Sequence, residues 1–411
     1  MLMLFYFTED VTVTLNEGGT SYNHKFDKIP NKDRNNIPSE NIYFSTPSDF
    51  KTHMDTLRKT LPDEKLKEMI YVMPPHQVVA HKEFPKNIGF GNLEEQIDEF
   101  KGRPQITVAI LNAMSNALGD HLIGMNAFNI FQEKIRSLLP GTNVSIILHQ
   151  LNPYRTGAIT KKWASKFQQV YMLPNRLSRL MEYDAIIDLG GLLLHKDFDK
   201  KPMMDFYLQA LSVPPETVPV EQKRIIYDLP EENRSSMEKI LRNVRAQKRP
   251  ILLFHHRSTS QIRAMSDCVA RGFIRDIIDK TPYFVISACG LEYQNKRFLS
   301  ISEHSKTTDD FASIISQVDA IITVDTSTYH FADAFDIPTV VLFTTIDPSL
   351  RTPYYPFTKS IMLEDSDGML FGRHKVNKAE NKDEEEIAHI EKMWSKFDIT
   401  EAIELLQSIG G

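Results

Sequence analysis

The chain reads as an α/β protein made of two strand-led halves, and three observations predict it. Apolar runs of strand type, among them ITVAILNAM from Ile106, RPILLFHH from Arg249, AIITV at 320–324 and TVVLF at 339–343, alternate with amphipathic helical segments. That is the rhythm of parallel sheets covered on both faces. The rhythm stops at a proline-rich stretch, VPPETVP at 213–219, and then begins again. Finally, two distant segments, 106–120 and 318–348, each run from strand through polar turn to helix. Parallel sheets bind ligands at such junctions, where strand carboxyl ends meet helix amino ends. A double Rossmann arrangement with a cleft binding a nucleotide or phosphate is therefore expected.

Composition bounds the reading. A chain of 411 residues is too long for one ordinary core, so two domains with additions are expected. Hydrophobic content of 41% and charged content of 25% exclude global disorder and collagen-like structure. A formal net charge of -6, with lysine and arginine spread along the chain, offers no general attraction to nucleic acid. Cys268 and Cys289 are the only cysteines, too few for a disulfide framework or a four-cysteine metal site, and fit a reduced, cytoplasmic protein. No apolar run approaches the roughly 20 residues that cross a bilayer, so membrane contact is expected to be peripheral at most.

Residues 1–103 form an N-terminal extension of unassigned role. MLMLFYF has no preceding positive charge and meets Glu9 and Asp10, so it reads as a strand rather than a targeting signal. It is expected to form a hairpin with VTVTL. Residues 16–42, rich in Asn, Lys, Asp and Pro, read as irregular. A helix is expected from about Asp49 to Thr60, with Phe50, Met54 and Leu57 at helical spacing behind Ser48. The extension reads as a structural appendage or as an oligomerisation or acceptor-docking module.

Residues 104–240 form the first Rossmann-like domain. After ITVAILNAM come a helix over His121 to Leu138, strands at 143–150 and 184–189, a helix around Met203 to Leu211, and a connecting helix from Glu231 to Gln247. Residues 241–411 form the second, with strands in RPILLFHH, YFVISAC, AIITV and TVVLF and closing helices that can return to the first domain.

At the second junction Asp325 ends a strand and Thr326 can cap the next helix. The backbone amides near Ser327, Thr328 and Tyr329 are then free for a diphosphate, with His330 one turn in. An Asp-Thr cap beside a structurally bonded histidine reads equally well. In HHRSTSQIR, 255–263, Ser258, Thr259 and Ser260 can offer hydroxyls to phosphate oxygens, and Arg257 or Arg263 can offset a leaving diphosphate's charge. A plain surface loop fits too. His255 and His256 lack metal-ligand spacing, so no metal is expected. Asp120 reads as a helix cap after glycine or as a functional carboxylate, with Ser115 and Asn116 placed to orient it. Asp188, Gly190 and Gly191 are explained by turn geometry. Asp347 and Pro348 fix a turn, and Arg351 and Tyr354 lie beside it. No G-x-S-x-G, G-K-[ST] or H-E-x-x-H occurs, which argues against hydrolase, P-loop and zinc-protease chemistry.

From about 104 to 408 the chain resembles glycosyltransferase family 9, the ADP-heptose:lipopolysaccharide heptosyltransferases and their relatives. VDAIITVDTSTYHFADAFDIPTVVLFTTIDPSLRTPYYP is similar to the family's D-T-G-x-x-H-x-A helix start, G-x-P-T strand and T-D-P-x-x-x-x-P-Y turn. ALGD at 117–120 is similar to its S-L-G-D turn, YDAIIDLGGLL to its Y-D-x-x-I-D-L-Q-G-L, and DFYLQALSVPPE to its helix ending in L-G-V-P. The resemblance implies a GT-B fold, two Rossmann-like domains facing a cleft, and an inverting, metal-independent glycosyltransferase without a cofactor. It places the catalytic base at Asp120, with Ser115, Asn116 and Gly119 on the acceptor side. Ser258, Thr259, Ser260, Arg263, Glu292, Asp325, Thr326, Ser327, Thr328 and His330 fall to the nucleotide-sugar donor. Ser327 stands where the family has glycine, and arginine replaces its donor-loop lysine. The implied partners are an ADP-sugar and a glycan, lipopolysaccharide or protein acceptor, met in the cytoplasm at the inner face of the membrane. Another nucleotide sugar, or a non-catalytic binding protein on the same fold, are the alternatives.

Overall fold

The computed structural model describes residues 2–17, 20–28, 37–45, 50–51, 54–55, 57–59, 61–74, 93–111, 117–150, 163–189, 192, 195, 197–365, 368–370, 372 and 383–409. The chain divides into two compact units, one of residues 1–116, 127–198 and 206–217, the other of 117–126, 199–205 and 218–411. The protein is α/β, with a parallel sheet in each unit.

In the first unit, strands β1 (Met3–Phe7), β2 (Val11–Glu17), β3 (Thr20–Phe26), β4 (Tyr43–Ser45) and β5 (Ile70–Val72) precede the parallel sheet. That sheet comprises β6 (Gln105–Leu111), β7 (Asn143–Gln150), β8 (Gln169–Met172) and β10 (Ala185–Asp188), in the order β10-β6-β7-β8. β9 (Asn175–Arg176) instead closes an antiparallel sheet of order β5-β1-β4-β9.

Two N-terminal expectations are corrected. β1 does not pair with VTVTL; it lies between β4 and β5, antiparallel to both. β2 pairs with β3, so residues 20–26, expected to be irregular, form a strand. Burial explains both outcomes. Alternate residues of a strand face opposite sides, and β1 is buried on each: Leu4 and Tyr6 pack with Ala109, Leu111, Leu173 and Leu177. Phe5 and Phe7 pack with Val11, Phe26 and Tyr43. A strand enclosed on both faces needs a central place, and Phe26 anchors β3 beside it. Of the expected helix at 49–60, the described residues 50, 51, 54, 55 and 57 are helical.

In the second unit, β11 (Ile251–His255), β12 (Phe284–Ser287), β13 (Phe298–Ser300), β14 (Ala320–Val324), β15 (Thr339–Phe343) and β16 (Thr358–Met362) form one parallel sheet. Its order is β13-β12-β11-β14-β15-β16. The winding reverses between β11 and β14, which pair with His255 opposite Thr323. Open parallel sheets bind ligands at the carboxyl ends of the strands flanking such a switch point. β14 and β15 are buried throughout. Helices Asp267–Lys280, Asp383–Lys396 and Ile399–Gln407 supply Phe273, Ile277, Trp394 and Ile403 to the core over this sheet. No helix among the described residues is long and apolar enough to cross a membrane.

Candidate functional site

The site is built at the switch point of the second unit. β14 is an unbroken β-branched and apolar run, and it delivers Asp325 to the sheet's carboxyl edge with only 3% exposure. There the carboxylate is fully engaged. Arg263 Nη1 donates to Oδ2 at 3.0 Å and Tyr329 Oη donates to Oδ1 at 2.9 Å. Ser258 Oγ donates to the Asp325 carbonyl at 3.0 Å, tying the loop after β11 to the end of β14. Burial and the Asp325 charge hold the Tyr329 phenol well above its usual value, so it stays a donor. Asp325 is thus an anchor for the loop after β11.

The helix that follows spans Thr328–Ala334. Thr326 was expected to cap it, but the cap position is Ser327, with φ -60, ψ -14 and no side-chain cap bond. The helix begins with Phe331 N donating to Ser327 O, so Thr326 stands one residue too early to reach the open amides. Ser327 needs no left-handed backbone, which explains how serine can occupy a position where the resemblance predicts glycine.

His330 lies on this helix at 3% exposure. Its Nδ1 is 2.7 Å from Tyr355 Oη, and burial holds the ring far below the usual histidine value, at about 3. On its other side is Gly119. A Cβ placed on Gly119 would lie 2.9 Å from His330 Cδ2, 3.0 Å from Nε2 and 3.7 Å from Ser327 Cα. Here glycine is required by space: the ALGD segment rests directly on the start of the Thr328–Ala334 helix. Asp120 is the next residue, half-buried in the first turn of the helix Leu118–Leu138, where a carboxylate complements the helix dipole.

The loop 256–263 separates the two arginines. Arg257 pairs with Asp267 at 2.6 Å, while Arg263 reaches Asp325. Ser260 is buried, and Thr259 is exposed. The adjacent imidazoles diverge, as consecutive residues leaving a strand do: His255 Nδ1 is 3.3 Å from Cys289 Sγ, and His256 Nε2 is 3.0 Å from Asp267. Arg263 Nε, Thr328 Oγ1, Thr345 Oγ1 and His256 Nδ1 are among the buried polar atoms that have no partner among the described residues. Each unsatisfied donor costs on the order of 1–3 kcal/mol, a cost that a polar ligand at this strand end would remove.

Not every expected residue joins the group. The Glu292 side chain is exposed and makes no hydrogen bond or ion pair with the others; its backbone carbonyl accepts from Arg271 Nε at 2.9 Å. Tyr354 does not face an open site, since its Oη donates to Asp205, which also accepts from Lys223 Nζ at 2.7 Å. Ser115, Asn116, Gly190 and Gly191 lie outside the described residues. Sequence reasoning missed the side chains of Tyr329, Tyr355 and Asp199. Arg351, at 9% exposure, donates to Asp199 Oδ1 at 2.7 Å, and Asp199 sits at φ 58. The only signal for Tyr355 was the P-Y-Y-P turn, and Asp199 had none.

Residues 306–381, which hold this helix start, match the family described as Glycosyltransferase family 9 (heptosyltransferase). No curated protein matches the chain. Among solved structures, it is similar to the E. coli ADP-heptose lps heptosyltransferase II at 13% identity and a TM-score of 0.46, over 71% of this chain and 99% of that one. For the family 9 glycosyl transferase of Veillonella parvula DSM 2008 the values are 12% identity, TM-score 0.44, 71% and 98%. For the heptosyltransferase TibC, in complex with ADP-D-beta-D-heptose, they are 12%, 0.46, 99% and 94%. TibC comes from enterotoxigenic E. coli H10407.

Proposed function

We propose that this chain, a heptosyltransferase-like enzyme of glycosyltransferase family 9 by its residues 306–381, moves heptose from ADP-heptose to a glycan acceptor of the lipopolysaccharide class, with inversion. One observation carries the reading: Gly119 packs on His330 at a distance that admits no side chain, so the ALGD segment and the start of the Thr328–Ala334 helix form one place. Asp120 then acts as general base, taking the proton of the acceptor hydroxyl as its oxygen attacks the anomeric carbon. The bond from that carbon to the diphosphate breaks, and ADP departs with the electron pair.

Arg263, Ser258, Thr259, Ser260 and the first amides of the Thr328–Ala334 helix hold the diphosphate as its charge grows. Glu292 is assigned to the ribose or base, and Ser115 and Asn116 to the acceptor. On this reading the parallel sheets are the two halves of a GT-B enzyme working in the cytoplasm, at the inner face of the membrane. A second reading, transfer from a different nucleotide sugar, is favoured by one feature, the Ser327 side chain beside the donor amides.

Incubation with a panel of nucleotide sugars tests both, and ADP-heptose is expected to be consumed fastest. Asp120→Ala is expected to slow transfer by about 10²- to 10⁴-fold, the usual worth of a general base, while ADP affinity stays nearly intact. Equal loss of ADP binding would make Asp120 a structural cap. Binding without turnover of any donor would make the chain a non-catalytic nucleotide-binding protein.

A further inference from the structure

We infer that Tyr355 is a positioning residue that fixes the proton of His330 on Nε2, so that the ring presents an N–H donor toward the Gly119–Asp120 turn. The argument starts from hydrogen-bond accounting. Tyr355 is buried at the P-Y-Y-P turn, and among the described residues its hydroxyl has a single partner, His330 Nδ1, at 2.7 Å. A phenol carries one donor, and a neutral imidazole carries one donor and one acceptor nitrogen. If Nδ1 held the proton, it would donate to Oη and the Tyr355 O–H would be left buried without an acceptor. That is the costlier arrangement, because an unmade donor loses its full hydration. With the O–H donating to Nδ1, both groups are satisfied and the proton stands on Nε2.

The remaining nitrogen has a defined outlook. Nε2 makes no hydrogen bond to the described residues, and it is the atom that would lie 3.0 Å from a Cβ on Gly119. The edge-on packing of the His330 and Tyr355 rings, with centroids 5.7 Å apart and planes at 88°, holds that orientation. Tyr329, whose ring centroid is 4.1 Å from that of His330, backs the imidazole and spends its own hydroxyl on Asp325. His330 therefore offers a donor and never an acceptor on this side, which suits an anionic or hydroxyl oxygen. As a role in transfer, this rests on the donor reading above, where that oxygen belongs to the ADP-sugar. The protonation pattern itself does not depend on it.

Nitrogen-15 NMR of the imidazoles, with His330 assigned by its loss in His330→Gln, reads the pattern directly. The expected result is a proton on Nε2 and an Nδ1 resonance shielded by an accepted hydrogen bond, moving downfield in Tyr355→Phe. A proton on Nδ1 in the wild-type protein would overturn the inference. Titration with ADP supplies the second arm: Tyr355→Phe is expected to weaken binding by about 2- to 10-fold, the range of one neutral hydrogen bond. In the His330→Gln background, where the amide brings its own N–H, Tyr355→Phe is expected to change nothing. Equal weakening in both backgrounds would reduce Tyr355 to packing. A wild-type protein with its proton on Nε2 that binds no ADP would sink the donor reading and leave the tautomer standing.

Discussion

The two parallel sheets are covered by different means. In the second unit the sheet β13-β12-β11-β14-β15-β16 is covered by helices, and Trp394, from the helix Asp383–Lys396, is fully buried with Nε1 donating to the Ala264 carbonyl at 3.0 Å. In the first unit Ala109 and Leu111 of β6 pack against Leu2, Leu4 and Tyr6, roughly a hundred residues away in the chain. A sheet covered by helices takes its core partners from helix faces. A sheet closed by a distant strand makes that strand part of its own core.

The largest test of this contrast is a pair of truncations. Trp394→Ala is expected to cost about 3–5 kcal/mol, read by urea unfolding followed by circular dichroism. Leu4→Ala is expected to cost about 2–5 kcal/mol although it lies at the very start of the chain. Each unit holds one of the two tryptophans, Trp163 and Trp394. A Trp394→Phe background therefore lets Trp163 report the Leu4 effect on the first unit alone. A cost near zero would show the N-terminal strand to be an appendage.

Acidification compares the units next. Burial holds His149 of the first unit and His330 of the second at about 3. Below pH 6.5 the unfolded chain binds protons that these folded imidazoles refuse, so stability falls as pH drops from about 6.5 toward 3. The loss is on the order of 1 kcal/mol per pH unit for each histidine. Chemical unfolding at pH 7 and pH 5 checks it. His330→Gln is expected to reduce the pH slope of the second unit only, leaving the part due to His255, which burial also holds at about 3, and an unchanged slope would show that the folded ring takes up its proton as readily as the unfolded one.

The smallest effect sits at a helix start. Thr307 Oγ1 accepts from Asp310 N at 3.1 Å, and Asp310 accepts from Thr307 N at 3.0 Å, a reciprocal cap for the helix Thr308–Ile315. Thr307→Ala is expected to cost about 1 kcal/mol, visible as a shift in urea midpoint. A neutral result would mean that tertiary packing alone holds that helix.

The same contrast explains what was legible in the sequence. β11, β14 and β15 are buried on both faces, so each reads as a continuous apolar run, and the junction after β14 follows from Asp325 ending it. β16, TKSIM, carries exposed or half-buried residues at an edge of the sheet and gave no such run. The antiparallel partners of β1 were illegible because pairing is set by which distant strand completes a core. Asp120, Arg263 and His330 were readable as polar residues at strand-to-helix junctions. Tyr329 and Tyr355 were not, since a tyrosine in a helix or a proline turn looks like core until its hydroxyl is seen on Asp325 or His330. The glycine that matters for close approach is Gly119 rather than the position of Ser327, a distinction only geometry could make.

A stability cycle on Gly119 and His330 tests most directly whether the two junction motifs meet. In the wild-type background Gly119→Ala is expected to destabilise by about 1–3 kcal/mol, because the new methyl is driven into the His330 ring. In a His330→Ala background the same change should become neutral or stabilising, since alanine is the better helix former by about 1 kcal/mol. An equal cost in both backgrounds would mean that Gly119 and His330 do not touch, and the shared site would be lost with that contact.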